Sequence, residues 1–445
     1  MPALVRTAGT GAGGNRTGSA LVITTTTGTG ACPRCGATPV SLDGALPWCA
    51  GCDWNLDTYD ARRQPPEFGW TWVDRRTHRL AARLTRQQYA TLLGRSLEST
   101  GPGFTGVLVA GISVLLLLGV AGLAVAGVWL LFAYPFPNLA VVGGVALLAL
   151  AVALRPRFGR LDRDLDVLTE REAPQLHALV REVAAAVGAP MPHVIGVDGD
   201  INAYATSVGL RRRRVLGLGL PLWGALDGPA RVALLGHELG HFVNGDVRRG
   251  PVTQPALTML GNAADLFRPR GGSDGGGLLV MVGEWLGHLA SWTLSRLLFA
   301  GHVVLVATAL RESQRAEYLA DEMAARAGGT AGATRLLDTL LRTDSVATAV
   351  RNAVRGGHGP DTWRVETGRA LDAAAGRLSL ERQLTVREDT SLFATHPPTG
   401  LRHRMLGARP WQDPAVTLTE ERAARIDAEL AGHYERAGRA LSWNA

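Results

Sequence analysis

Two long stretches without a charged residue, Phe104–Ala133 and Pro135–Leu154, constrain this chain more than any other feature of its 445 residues. Roughly 20 consecutive apolar residues suffice to cross a bilayer. A hairpin of two transmembrane helices over 102–156, turning at Tyr134-Pro135-Phe136-Pro137, accounts for both stretches; a buried core hairpin is the alternative. Arginines flank both outer ends of the hairpin and none lies in the turn. The positive-inside rule then puts the N-terminus and everything after residue 156 on the cytoplasmic side of a multi-pass protein of the cell membrane. The formal charge is +7, and the 46 basic residues include no lysine. These arginines are scattered along the chain, which points to an anionic lipid surface and away from nucleic acid.

Ahead of the hairpin, residues 1–31 are rich in Gly, Thr and Ala, with one brief apolar patch at Leu21–Ile23. They read as disordered and not as a secretory leader. Cys32, Cys35, Cys49 and Cys52 follow as two C-x-x-C knuckles 13 residues apart, and they are the only cysteines. Two knuckles of this kind complete a tetrahedral zinc site in a segment too small for its own core, so 32–60 reads as a zinc ribbon. The rival reading, two disulfides, requires an oxidising compartment. A ribbon is a structural or binding module, so a partner protein is possible there. Its metal has ligands of its own, and losing it through Cys32→Ser should leave any reaction elsewhere largely intact. The arginine-rich stretch 61–101 reads as a basic linker.

Beyond the hairpin, 168–190 has apolar residues at helical spacing and ends at Gly188 and Pro190. Short β-type runs over 193–226 read as two strands or a hairpin. Within them Arg211–Arg214 could take a phosphate or lipid headgroup, or form a solvated strand turn. Next comes GHELGHFVNGD, Gly236 to Asp246. Residues four apart share a helix face, so His237 and His241 can offer both imidazoles to one ion, and Glu238 can reach a water on that ion. The apolar region 276–311 follows, interrupted by Glu284, His288, Arg296 and His302. It reads as one or two membrane-embedded or interfacial helices, an insert over 278–310. Immediately after it stands RESQRAEYLADEMAARAG, in which Glu317 and Asp321 are again four apart. Alone, this pair is a common solvated helix face. Downstream of His-Glu-x-x-His it offers Glu317 as a third ligand and Asp321 as an orienting partner for a ligating imidazole.

Four motifs in this order resemble the HtpX and CAAX-prenyl-protease family of integral-membrane zinc metallopeptidases. They are NAYATS (Asn202 to Ser207), HELGHFVNGD, SQRAEYLAD (Ser313 to Asp321) and THPPTGLR (Thr395 to Arg402), within roughly 160–409. The resemblance implies that His237, His241 and Glu317 bind a catalytic zinc and that Glu238 activates water. It makes Asp321 an orienting group and puts Asn202 and Ala203 on an edge strand that pairs with extended substrate. His396 would stabilise the oxyanion, hold substrate or pack its Pro-flanked loop. Arg402 or Arg404 would supply the arginine that closes the last motif, with Arg402 expected among the substrate-binding residues. The ribbon lies outside the family's usual pattern.

The expected fold is a mostly α zincin-like metallopeptidase with a small β element, plus transmembrane helices and the N-terminal ribbon. The peptidase domain would cover 157–409, and 410–445 would be a C-terminal helix packed upon it. The expected function is zinc-dependent endoproteolysis of membrane or membrane-proximal proteins at the cytoplasmic face, with two zinc ions, one catalytic and one structural. A non-catalytic membrane adaptor on a zincin scaffold and the processing of prenylated peptides are the alternatives.

Overall fold

A computed structural model describes residues 30–94, 104–134, 138–155, 159–209, 211–244, 257–268 and 278–443. Most of the disordered tail expected over 1–31, the Pro135–Pro137 turn and residues 271–277 ahead of the insert lie outside the described residues.

The uncharged stretches form two helices, α2 (Phe104–Ala133) and α3 (Leu139–Ala153), with Asn138 capping the second by accepting from the Ala140 amide. They cross at paired glycines. A Cβ on Gly127 would stand 2.8 Å from Leu148 Cγ, and one on Gly144 2.8 Å from the Gly127 carbonyl oxygen. Small residues allow this approach where lipid supplies no hydrophobic drive between helices. At 1.5 Å per residue, α2 is about 45 Å long and α3 about 22 Å, so only α2 exceeds the ~30 Å hydrocarbon core. The second arm of the expected hairpin is therefore short of a full span within its helical residues.

The insert departs from expectation in its length. Residues expected to form one or two separate helices belong to α8 (Leu278–Leu341), which continues through Glu317 and Asp321 and leaves helical geometry only at Gly329. Residues 257–266 are helical, as α7, and run antiparallel to it. Ser295 donates to the Ala264 carbonyl, and the His302 ring lies against Gly261. Val109 of α2, Leu257 of α7 and Leu305 of α8 close an apolar cluster, so α2, α7 and α8 form one bundle. Both α2 and α8 are long and apolar enough to cross a membrane.

The main core lies beyond that bundle. A four-stranded sheet in the order β1-β2-β4-β3 comprises β1 (Asp166–Leu168), β2 (Val194–Asp198), β3 (Ala203–Val208) and β4 (Arg213–Gly219). β2 and β4 are parallel, and the outer pairs are antiparallel. Apolar runs such as Val215–Leu218 bury the centre, whereas β3 stays half-buried along its length at the edge. Arg211 and Arg212 are exposed in the β3–β4 turn. The sheet packs with α4 (Pro174–Val187), α5 (Leu220–Ala225), α6 (Gly228–Asn244) and the second half of α8.

Further helices complete the mass: α9 (Thr343–Arg355), α10 (Pro360–Glu388), α11 (Thr399–Gly407), α12 (Glu420–Glu429) and α13 (Ala431–Trp443). The expected single helix over 410–445 is two helices. Their Ile426, Leu430, Tyr434 and Ala437 belong to the same apolar cluster as the sheet and α6, so the core continues past residue 409. The fully buried Arg231 of α6 pairs with Asp427 of α12 at 3.0 Å, and Tyr434 donates to the same carboxylate. The stretch read as a basic linker also folds in part, as α1 (Thr71–Leu93), whose Gln88 donates to the Arg311 carbonyl of α8.

Candidate metal centre

Why α6 and α8 approach so closely is written in their small residues. A Cβ on Gly236 would stand 2.7 Å from Ala327 Cβ and 2.8 Å from the Met323 carbonyl oxygen; one on Gly240 would stand 3.1 Å from Ala320 Cα. These glycines precede His237 and His241 by one residue each. The same packing that requires them turns both imidazoles toward the stretch of α8 that carries Glu317.

His237, His241 and Glu317 each offer a ligand atom, and these atoms all lie within 4.8 Å of one another. The His237 Nε2 and His241 Nε2 atoms are each 3.6 Å from a Glu317 carboxylate oxygen, too far for a hydrogen bond. Ligands about 2.0–2.1 Å from a shared tetrahedral ion stand about 3.3 Å apart, so the gap suits an ion at its centre. The donor set, two imidazoles and a carboxylate, suits zinc. Burial alone would raise the Glu317 carboxyl, but His396, Arg402 and His241 outweigh it and hold the group well below the usual carboxylate range. The carboxylate is thus charged and ready to ligate.

Asp321, one turn beyond Glu317, lies 3.1 Å from His237 Nδ1, the ring atom turned away from the cluster. Arg402 of α11 meets Asp321 with two donors, Nε at 2.8 Å and Nη2 at 2.6 Å. Burial opposes the charge on Asp321, and Arg402 and His237 overcome it, so its carboxyl also sits below the ordinary range. Arg402, expected among the substrate-binding residues, is buried at 6% exposure and turned toward Asp321, where the carboxylate balances a guanidinium at that depth. Arg404, the alternative, points the other way and pairs with Asp53 of the cysteine segment.

Glu238, next along α6, is buried. His396 sits on the loop between α10 and α11, its side chain 60% exposed and its Nδ1 2.7 Å from Glu317 Oε2. Sequence alone left its place between packing and chemistry; here an exposed imidazole borders the cluster. Ala203 opens edge strand β3, with exposed Asn202 just before it accepting from the Gly219 amide, and β3 packs on α6. A residue that sequence reasoning passed over is Gln314. Buried one turn before Glu317, it donates to the Ala394 carbonyl and tethers the His396 loop.

The four cysteines form the second cluster, again with ligand atoms within 4.8 Å of one another. Cys32 and Cys52 sulfurs are 3.6 Å apart, and Cys35 and Cys49 sulfurs 3.4 Å. A disulfide is about 2.05 Å long. Four thiolates about 2.3 Å from one zinc ion stand about 3.8 Å apart, so the spacing is that of a metal site.

Residues 170–409 match Peptidase family M48. This chain belongs to that family, the HtpX-like zinc metallopeptidases. It is 29% identical over 245 residues to a protease HtpX homolog of Pelotomaculum thermopropionicum, covering 54% of this chain and 78% of that protein. A protease HtpX homolog of Acidiphilium cryptum is 31% identical over 229 residues, covering 51% of this chain and 70% of the relative. One from Thermococcus kodakarensis is 26% identical over 245 residues, 53% of this chain and 73% of that protein. No solved structure matches the chain significantly. The family match over 170–409 carries every residue of the histidine–glutamate cluster and begins beyond the cysteine segment, α1, α2 and α3.

Proposed function

We propose that the protein is a zinc-dependent endopeptidase that cleaves membrane or membrane-proximal proteins at the cytoplasmic face, with His237, His241 and Glu317 holding the metal. The observation that carries this reading is the His237–His241–Glu317 cluster, whose ligand atoms all lie within 4.8 Å of one another, with each imidazole Nε2 3.6 Å from a Glu317 carboxylate oxygen. A zinc ion bound there would supply Lewis acidity, polarising the scissile carbonyl and making water acidic near neutral pH. Glu238 takes the proton of the attacking water and passes it to the leaving amine. Asp321 fixes the His237 ring through Nδ1, leaving Nε2 turned to the cluster, and Arg402 fixes Asp321. The edge of β3 receives an extended peptide by strand addition, with Asn202 and Ala203 at its start. His396, exposed beside Glu317, is placed to donate to the developing oxyanion.

Glu238→Gln keeps the side chain's size and removes its basicity, so casein cleavage by the detergent-purified protein should fall by orders of magnitude with the metal retained. Glu317→Ala should lose the metal itself. Undiminished cleavage by Glu238→Gln would refute the assignment, as would a Glu317→Ala protein with a full complement of two zinc ions.

A further inference from the structure

The cysteine segment does not stand apart from the peptidase. Its small core of Leu42, Ala45, Trp48 and Leu56 is completed by Leu384 of α10. Trp48, fully buried, donates from Nε1 to Gln383 Oε1 at 3.0 Å, and Gln383 returns a bond from Nε2 to the Ala50 carbonyl at 2.9 Å. The fully buried Arg387 donates to the Leu46 carbonyl at 2.7 Å and to the Asn55 carbonyl at 2.8 Å. Asp53, the residue after Cys52, receives both Nη groups of Arg404. Thus α10 is held near its C-terminal end and α11 near its middle, on either side of the loop that carries His396. The following segment adds to the grip: Gln64 donates to the Arg387 carbonyl, and Phe68 packs against Phe393 with the rings tilted by 50° and their centroids 5.9 Å apart.

We propose that the four-cysteine segment is a positioning element of the peptidase centre, acting through Asp53–Arg404 on the helix that carries Arg402. The inference rests on the peptidase reading above. Arg402 and Arg404 sit on one helix of nine residues, Thr399–Gly407. A shift of α11 that follows loss of the Asp53 contact moves Arg402, and with it Asp321 and the His237 ring. The segment's own apolar core is four side chains, so its shape depends on its metal. Without that shape, Arg387 loses both backbone acceptors at a site where an unpaired guanidinium is costly. The two metal sites are therefore mechanically linked, against the expectation that Cys32→Ser leaves the reaction largely untouched.

The test uses full-length protein in detergent carrying Asp53→Ala, Arg404→Ala, both together, or the exchanged pair Asp53→Arg with Arg404→Asp. Two readouts are taken: kcat and KM on casein, and the rate at which a chelator strips zinc from the histidine cluster. Retention of the ribbon metal, followed by thiol accessibility, certifies the fold. Each single variant should lower kcat on the order of 3–10-fold and speed zinc release, a milder form of losing a ligand's orienting partner. The double variant should be no worse than either single, and the exchanged pair should recover most of both losses. Wild-type kcat and zinc release in both singles, or effects that simply multiply in the double, would overturn the inference. Cleavage that persists in Glu238→Gln would sink the peptidase reading alone, because zinc release still reports on the Asp53–Arg404 link.

Discussion

Arg402 and Asp321 meet inside the protein as a two-pronged pair, with both carboxylate oxygens of Asp321 within 2.8 Å of the guanidinium and one of them 3.1 Å from His237 Nδ1. The pair converts a charge that burial opposes into a fixed reference for an imidazole. Removing either member leaves the other buried without its partner.

Arg402→Lys keeps the charge but gathers its donors on a single nitrogen, where the guanidinium offers a planar fork. It should therefore lower casein cleavage and zinc affinity together, by roughly 10–100-fold, as loss of a ligand's orienting partner does. Asp321→Asn should fall in the same range, with no additional loss in the double variant. Metal titration of each protein against a competing chelator checks this, and normal zinc affinity in both singles would count against the chain of contacts.

Gly236→Ala places a methyl group 2.7 Å from Ala327 Cβ and 2.8 Å from a backbone carbonyl. Overpacking of this kind costs about 1–3 kcal/mol. Because α6 must move away from α8 to relieve it, the ligands separate as well. The variant should unfold at lower temperature and hold the catalytic zinc more weakly. Gly407→Ala, where no atom lies within 4 Å of the added carbon, should change neither.

Asp427→Ala strips the fully buried Arg231 of its carboxylate and Tyr434 of its acceptor. Breaking a buried pair in this way costs about 3–5 kcal/mol. The apparent Tm should drop markedly, although Asp427 touches none of the candidate ligands. Glu435→Ala, whose ion pair with Arg439 is exposed, serves as the neutral comparison. Equal Tm values for the two variants would remove the C-terminal helices from the folding core.

Membrane topology is open to a direct check. Reporters fused near Gly94 and Gly159 should agree in side, and one at Tyr134 should report the opposite side, as the arginine distribution requires. Reporters after His241 and before Glu317 must also agree. Disagreement there would place the ligands on opposite faces of the bilayer and end the shared-site reading.

How much of this was legible beforehand depended on the range of the interaction. His237, Glu238 and His241 are neighbours on one helix, and so are Glu317 and Asp321, so a period of 3.6 residues exposes both groups. The cysteine knuckles are equally local. Nothing local says that Arg402 turns inward to Asp321 while Arg404, two residues on, turns outward to Asp53. That choice is made by which carboxylate each meets after the chain has packed. Arg387 is a similar case: in sequence it is one more arginine on a charged helix, and only the docked cysteine segment makes it a buried one. The length of α8 was hidden for another reason. Its composition changes from apolar to charged near Arg311, which looks like an element boundary, yet no proline or helix-ending glycine interrupts the chain there.

That unbroken helix makes α8 a measuring rod. Glu317 lies six residues past Arg311, about 9 Å along the axis at 1.5 Å per residue, with no hinge between them. Helical rigidity fixes this height in a way that a loop of equal length would not. Inserting one residue between Leu305 and Arg311 would raise the carboxylate by about 1.5 Å and rotate it by about 100° against the bundle, so the height cannot be tuned in small steps. The place of this carboxylate is thus tied to where the apolar run ends: Glu317 cannot leave that level unless the whole helix bends or slides.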